Sequence, residues 1–118
     1  MKASEFLMEM AGLLKGRWVP YEDGWTQNYG RVVVGPYTLP AKCCMVNART
    51  AISRVPGMYL PGDMYEASFK AWEYLKAYTG VRSTGFRSIS DWNDAQTSEA
   101  DVIHAIHSAA LIAHSEGQ

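Results

Sequence analysis

The chain has little net charge, few cysteines and no long apolar run. Eleven Lys and Arg stand against twelve Asp and Glu, a formal charge of −1. So even a balance gives no global electrostatic reason to expect nucleic acid or an anionic membrane as a partner. Arg49 with Arg54, or Arg82 with Arg87, are thin material for a local basic patch. No apolar segment approaches the ~20 residues that span a bilayer. Acids interrupt the opening MKASEFLMEM, so it does not read as a secretory signal. The two cysteines, Cys43 and Cys44, are adjacent. A vicinal disulfide closes a strained ring, and two cysteines make no framework, so both are expected as reduced thiols in a cytoplasm. No spacing matches a well-understood catalytic, nucleotide-binding or metal-binding pattern.

What is present fits one globular domain over residues 1–118, with 47% hydrophobic and 19% charged content. A chain of this length buries roughly two-thirds of its unfolded surface without staples. Phe6, Leu7, Met10, Leu13 and Leu14 share one arc at helical periodicity, with Glu5, Glu9 and Gly12 opposite. Ser4 is the expected N-cap of that helix and Gly16 its end. Between Arg17 and Cys44, β-branched and aromatic residues separated by Gly and Pro suggest two or three short antiparallel strands, with Gly35-Pro36 as a turn. Lys42 to Ser53 turns helical toward its end.

A further helix is expected from Asp63 to about Thr79, opened by a variant capping box of Asp63 and Glu66. Its polar stripe is narrow (Glu66, Lys70, Glu73, Ala77). Met64, Tyr65, Phe69, Ala71, Trp72, Tyr74, Leu75 and Tyr78 fill the rest. Such a helix is either central or presents part of itself to a partner. Arg82 to Asp94 reads as a loop with a turn around Ser88–Trp92. A last helix follows Thr97 or Ser98, with Val102, Ile106, Ala109 and Ala113 on its inner face and Ile103 and Ala110 at the edge. The fold class is therefore α+β, three to four helices packed around a small antiparallel hairpin or three-stranded sheet.

Two stretches, Gly24-Trp25-Thr26-Gln27 and Ser88-Ile89-Ser90-Asp91-Trp92-Asn93-Asp94-Ala95, together resemble an uncharacterised family of small actinobacterial and actinobacteriophage proteins. That family's pattern leads into the middle helix with Cys-x-x-Gly-Ala. Here the stretch is Cys44-Met45-Val46-Asn47-Ala48, and Asn is the next best residue after Gly for a positive φ. The resemblance implies a fold and a phage or prophage setting. It carries no activity and no catalytic residues.

Three constellations invite chemistry. His104 and His107, at i and i+3, could share a metal with a carboxylate such as Asp91 or Asp94, whereas His114 lies ~10 Å further along the axis. Rings bordering the apolar face with wet polar tips are the favoured reading. Cys43 or Cys44 could be a nucleophile beside a histidine. Adjacent strand residues face opposite ways, which would turn one thiol to the core and the other to solvent or a cleft, and a buried small hydrophobe is the preferred reading. Trp92-Asn93-Asp94 is either a turn pinned by a buried indole or a recognition loop.

Four Trp, seven Tyr and three Phe cannot all fit so small a core. Some of Trp18, Tyr21, Tyr59, Tyr65, Tyr74 and Tyr78 must reach the surface. Base stacking would need a positive groove beside them, and basic partners are sparse. The favoured function is a non-enzymatic protein-interaction module, phage-encoded and acting on a bacterial host factor in the cytoplasm. Its contact residues are Tyr65, Trp72, Trp92, Asn93 and Asp94, with no cofactor, no metal and no membrane. Homo-oligomerisation through the aromatic helix is a further expectation. The alternative is a small enzyme or ligand- or metal-binding domain using Cys44, Asn47, Asp94 and the final-helix histidines.

Overall fold

The computed structural model describes residues 1–20, 24–54, 61–81 and 86–118, and at 61–65 the backbone alone. Among the described residues the elements are α1 (Ala3–Leu14), β1 (Arg31–Val34), β2 (Tyr37–Pro40), α2 (Met45–Ser53), α3 (Pro61–Thr79), α4 (Ile89–Ala95) and α5 (Glu99–Ser115). This is an α+β architecture, helices packed around α1 with one antiparallel hairpin set mainly against α2. No described helix is long and apolar enough to cross a membrane.

The apolar arc of α1 is the centre of the core. Phe6, Leu7, Met10 and Leu14 are fully buried, each worth about 1.5–3 kcal/mol relative to exposure. Around them pack α2, α3 and α5. Helix α5 runs antiparallel to α1 and is tied to it at both ends. At one end the Ser4 backbone N–H and hydroxyl both donate to the Gln118 carbonyl, at 3.3 and 2.7 Å. At the other, Glu99 Oε1 accepts from the backbone N–H of Gly16 at 2.9 Å and of Trp18 at 3.3 Å. Ser4 is thus inside α1 rather than its cap. Lys2 holds the cap position, and its backbone N–H donates to Glu5 at 3.1 Å.

The hairpin register pairs Val34 with Tyr37, which leaves Gly35-Pro36 as a two-residue turn. Gly35 has φ +58, the left-handed sign a primed hairpin turn needs. Tyr37 and Leu39 point inward and Thr38 outward, the period-two pattern of a half-buried strand. Trp25 and Tyr29 fall in a turn before the hairpin rather than in a strand. That turn closes on Asn28 at φ +56, a conformation Asn tolerates.

Two helix starts depart from expectation. Helix α3 begins at Pro61, so Asp63 lies within its first turn instead of capping it; the side chain of Asp63 is outside the described residues. The Glu66–Lys70 pair forms at 3.2 Å. The segment around Trp92 is a seven-residue helix, α4, and Ser88 caps it by accepting from the Asp91 backbone N–H at 3.2 Å. Ser98 caps α5 in the same way through Asp101, at 3.1 Å.

Candidate functional site

Gly24 and Asn93, one from each motif stretch, and Asn47 of α2 are buried, whereas Trp25, Thr26, Gln27, Ser90 and Asp91 are exposed. Chain segments 16–19 and 43–45 lie side by side as a short parallel bridge. Cys43 N–H donates to the Arg17 carbonyl at 2.9 Å, and Val19 N–H to the Cys43 carbonyl at 3.0 Å. Asn93, 1% exposed, presents its Oδ1 to this bridge and accepts from the Trp18 indole Nε1–H at 2.8 Å and the Met45 backbone N–H at 3.2 Å. Met45 opens α2, so its N–H is one of the orphan donors of a helix start. One carboxamide of α4 therefore fastens both strands of the bridge and the head of α2.

Asn47 does a parallel job. Its Oδ1 accepts from the Gly24 backbone N–H at 2.9 Å and the Cys44 backbone N–H at 3.2 Å, with the Cys44 thiol 3.5 Å away. The side chain, not a left-handed backbone, is what this position uses: Asn47 lies in the first turn of α2 and has no positive φ. Gly24 is buried over Lys42 and Pro40, and a Cβ there would overlap the Lys42 carbonyl and the Pro40 ring. Among the described residues no buried side-chain N or O lacks a partner.

Cys43 is fully buried and Cys44 half-buried, one inward and one partly outward as the alternation implied. Burial pushes the Cys43 thiol up to about 12. The neighbouring Cys44 and Glu99 push the same way, and Arg17 opposes them. Cys44 is the N-cap of α2, a helix N-terminus that its sequence context did not disclose.

The histidines do not gather with Cys44. His107 and His114 line a groove between α1 and α5, and all three final-helix imidazoles are exposed rather than half-buried. Among the described residues no group of three or more His, Cys, Asp or Glu side chains is placed to hold a metal ion. Asp94 is half-buried and accepts from Asn93 Nδ2 at 3.3 Å.

The aromatic expectation resolves unevenly. Trp72 and Trp92 are half-buried and pack on the core. The Arg49 guanidinium sits 4.4 Å from the centre of the Trp72 ring, and its Nε–H donates to Ser68 at 2.9 Å. Phe69 is 52% and Tyr78 40% exposed. Trp25 is exposed too, with Arg31 5.8 Å from its ring centre. The side chain of Tyr65, and Tyr21 and Tyr59 altogether, lie outside the described residues.

A family model matches residues 1–111, spanning the hairpin, both motif stretches and most of α5. The chain belongs to DUF6197, a family of unknown function. DUF6197 membership agrees with the resemblance to an uncharacterised family and brings no assigned chemistry with it. No curated protein and no solved structure matches the chain. The braces built on Asn47, Asn93 and Gly24 all lie within the matched region.

Proposed function

We propose that the chain is a non-enzymatic protein-interaction module, phage-encoded, that binds a bacterial host protein in the cytoplasm. The observation that carries this reading is the orientation of α3. Among its described side chains the buried ones are mostly small, Ala67, Ser68 and Ala71, with Leu75 the one large side chain. Its large aromatics among those residues, Phe69, Trp72, Tyr74 and Tyr78, are half-buried or exposed. A helix placed only by hydrophobic burial turns its largest apolar groups inward. Here part of that area is held at the surface instead.

Phe69 and Trp72, at i and i+3, are neighbours on the surface of α3. Arg49 of α2 stacks on Trp72, so an aromatic, a second aromatic and a guanidinium adjoin. These residue types concentrate binding energy at protein interfaces. Trp92 of α4, half-buried against the same core, extends the candidate surface. Asn93 contributes from beneath, by fixing α4, because its own amide is inside.

The test is capture of a partner from bacterial lysate, followed by calorimetry with the purified partner. Phe69→Lys, at an exposed position, is expected to weaken binding at least tenfold with an unchanged thermal midpoint. Trp72→Ala is expected to weaken it further. If Phe69→Lys and a folded Trp92→Ala bind like wild type, this surface is not the contact site.

A further inference from the structure

The groove between α1 and α5 is a separate feature. It has a volume of about 570 Å³, and Met8 and Leu111 line its apolar part. Both are exposed, Met8 at 51% and Leu111 at 70%. A second depression of about 370 Å³ begins across Met8 and runs over Gly12 and Leu13 to the hairpin turn at Gly35-Pro36. Met8 is thus a ridge in a continuous face made of α5, α1 and the turn. Exposed apolar side chains set together on one face make a candidate contact site.

The two walls of the groove differ in chemistry. On the α1 side stand the carboxylates of Glu5 and Glu9; on the α5 side stand the imidazoles of His107 and His114. The walls run antiparallel, as the Ser4–Gln118 and Gly16–Glu99 ties require. Glu5 therefore lies near the level of His114, and Met8 near that of Leu111. Consider a second copy related by a two-fold axis lying in the contact plane, parallel to the helices. That operation places α1 of each copy over α5 of the other without changing level. Each acidic wall then meets a wall of imidazole N–H donors, and Met8 meets Leu111. A two-fold axis across the helices would instead set α1 on α1 and carboxylate on carboxylate.

Gly12 fits the same arrangement. It lies inside α1 on the exposed side, and a Cβ built on it would meet nothing within 4 Å. Glycine in a helix interior is a cost to the helix, and no packing among the described residues calls for it. A bare backbone on this face lets a facing helix approach closely.

We propose that this face is the interface of a two-fold homodimer, with α1 of one copy seated on α5 of the other. The proposal concerns a different face from the α3 surface and stands independently of the partner reading. On α5 the groove lining runs from His107 to His114, ~10 Å at 1.5 Å per residue, and the hairpin turn extends the face beyond α1. Self-complementary surfaces of this sort close as dimers rather than growing into chains.

Sedimentation velocity across a hundredfold range of protein concentration tests it. The weight-average mass is expected to rise from that of one 13.1 kDa chain toward twice that value and stop there. Leu111→Asp and Met8→Asp, both at exposed positions, should each raise the dissociation constant at least tenfold with unchanged circular dichroism and thermal midpoint. Glu9→Lys and His107→Glu should each weaken the dimer, and the double variant should recover most of the loss. Bulky Gly12→Trp should also hold the chain as a monomer. A monomer at every concentration would overturn the proposal. So would a dimer indifferent to Leu111→Asp, or a mass that climbs beyond two chains.

Discussion

Removing the Asn93 carboxamide tests whether the interior brace holds the fold together. In Asn93→Ala the Trp18 indole N–H and the Met45 backbone N–H lose their acceptor at once. An unsatisfied buried donor costs about 1–3 kcal/mol, so two cost about 2–6. Met45 is fully buried and bears the whole penalty, whereas Trp18 is half-buried and water reaches part of its ring. The expected loss is therefore about 3 kcal/mol, a large share of the ~5–15 kcal/mol typical of a domain. Urea denaturation followed by tryptophan fluorescence reads it. With a slope near 1.5 kcal/mol per molar, the midpoint should fall by about 2 M with the slope unchanged. Trp18→Phe removes one of the two donors, so the double variant should cost less than the sum of the singles by about 1 kcal/mol. A loss below about 1 kcal/mol for Asn93→Ala, or strict additivity with Trp18→Phe, would refute the brace.

Gly24→Ala should destabilise by about 1–3 kcal/mol or more, since its methyl would overlap the Lys42 carbonyl and Pro40; a thermal melt shows it. Gly12→Ala, measured at concentrations where the chain is monomeric, should instead stabilise by up to about 1 kcal/mol, because the added methyl touches nothing. The Cys43 thiol, raised by burial from 9.0 to about 12, contributes stability that is complete below pH 9. That contribution is lost as pH climbs from there through the folded value. The alkaline limb of the wild-type stability profile should accordingly be steeper than that of Cys43→Ala, and equal slopes would contradict the burial. In a thiol-titration assay Cys44 should react first, with Cys43 modified only as fast as the chain opens.

Local periodicity made some of this structure legible and left the rest hidden. The buried arc of α1, the turn at Gly35-Pro36, the Ser98 cap and the inner face of α5 all depend on residues within one turn or one hairpin. Ser4 misled because its hydroxyl serves the Gln118 carbonyl, a partner at the far end of the sequence. The start of α3 was readable in principle, since Pro favours the first helical position. So was α4, whose Ser88 stands three residues before Asp91, the spacing of a capped helix start. The parallel bridge between Trp18 and Cys43 was not readable, because two residues of pairing leave no periodic trace. Nor could the groove be seen: Met8 and Leu111 look like ordinary helix residues until α1 and α5 are laid side by side.

The chemistry of the two buried asparagines explains why conspicuous polar motifs ended up as architecture. Asn93 gathers two donors distant in sequence, Trp18 and Met45, while Asn47 joins the distant Gly24 to Cys44 at the head of its own helix. An acceptor at either site must reach at least one donor outside its own helix and offer two lone pairs on one oxygen. Serine is too short to span the gap. Aspartate has the reach, but it brings a charge whose burial without a cation is expensive. A neutral carboxamide meets both demands, and its remaining N–H pair can be spent on a neighbour, as Asn93 does with Asp94. Substitutions at Asn47 or Asn93 should therefore weaken any activity only in step with the loss of fold. Substitutions at Phe69 or Leu111, which stand in water, are the ones able to separate function from folding.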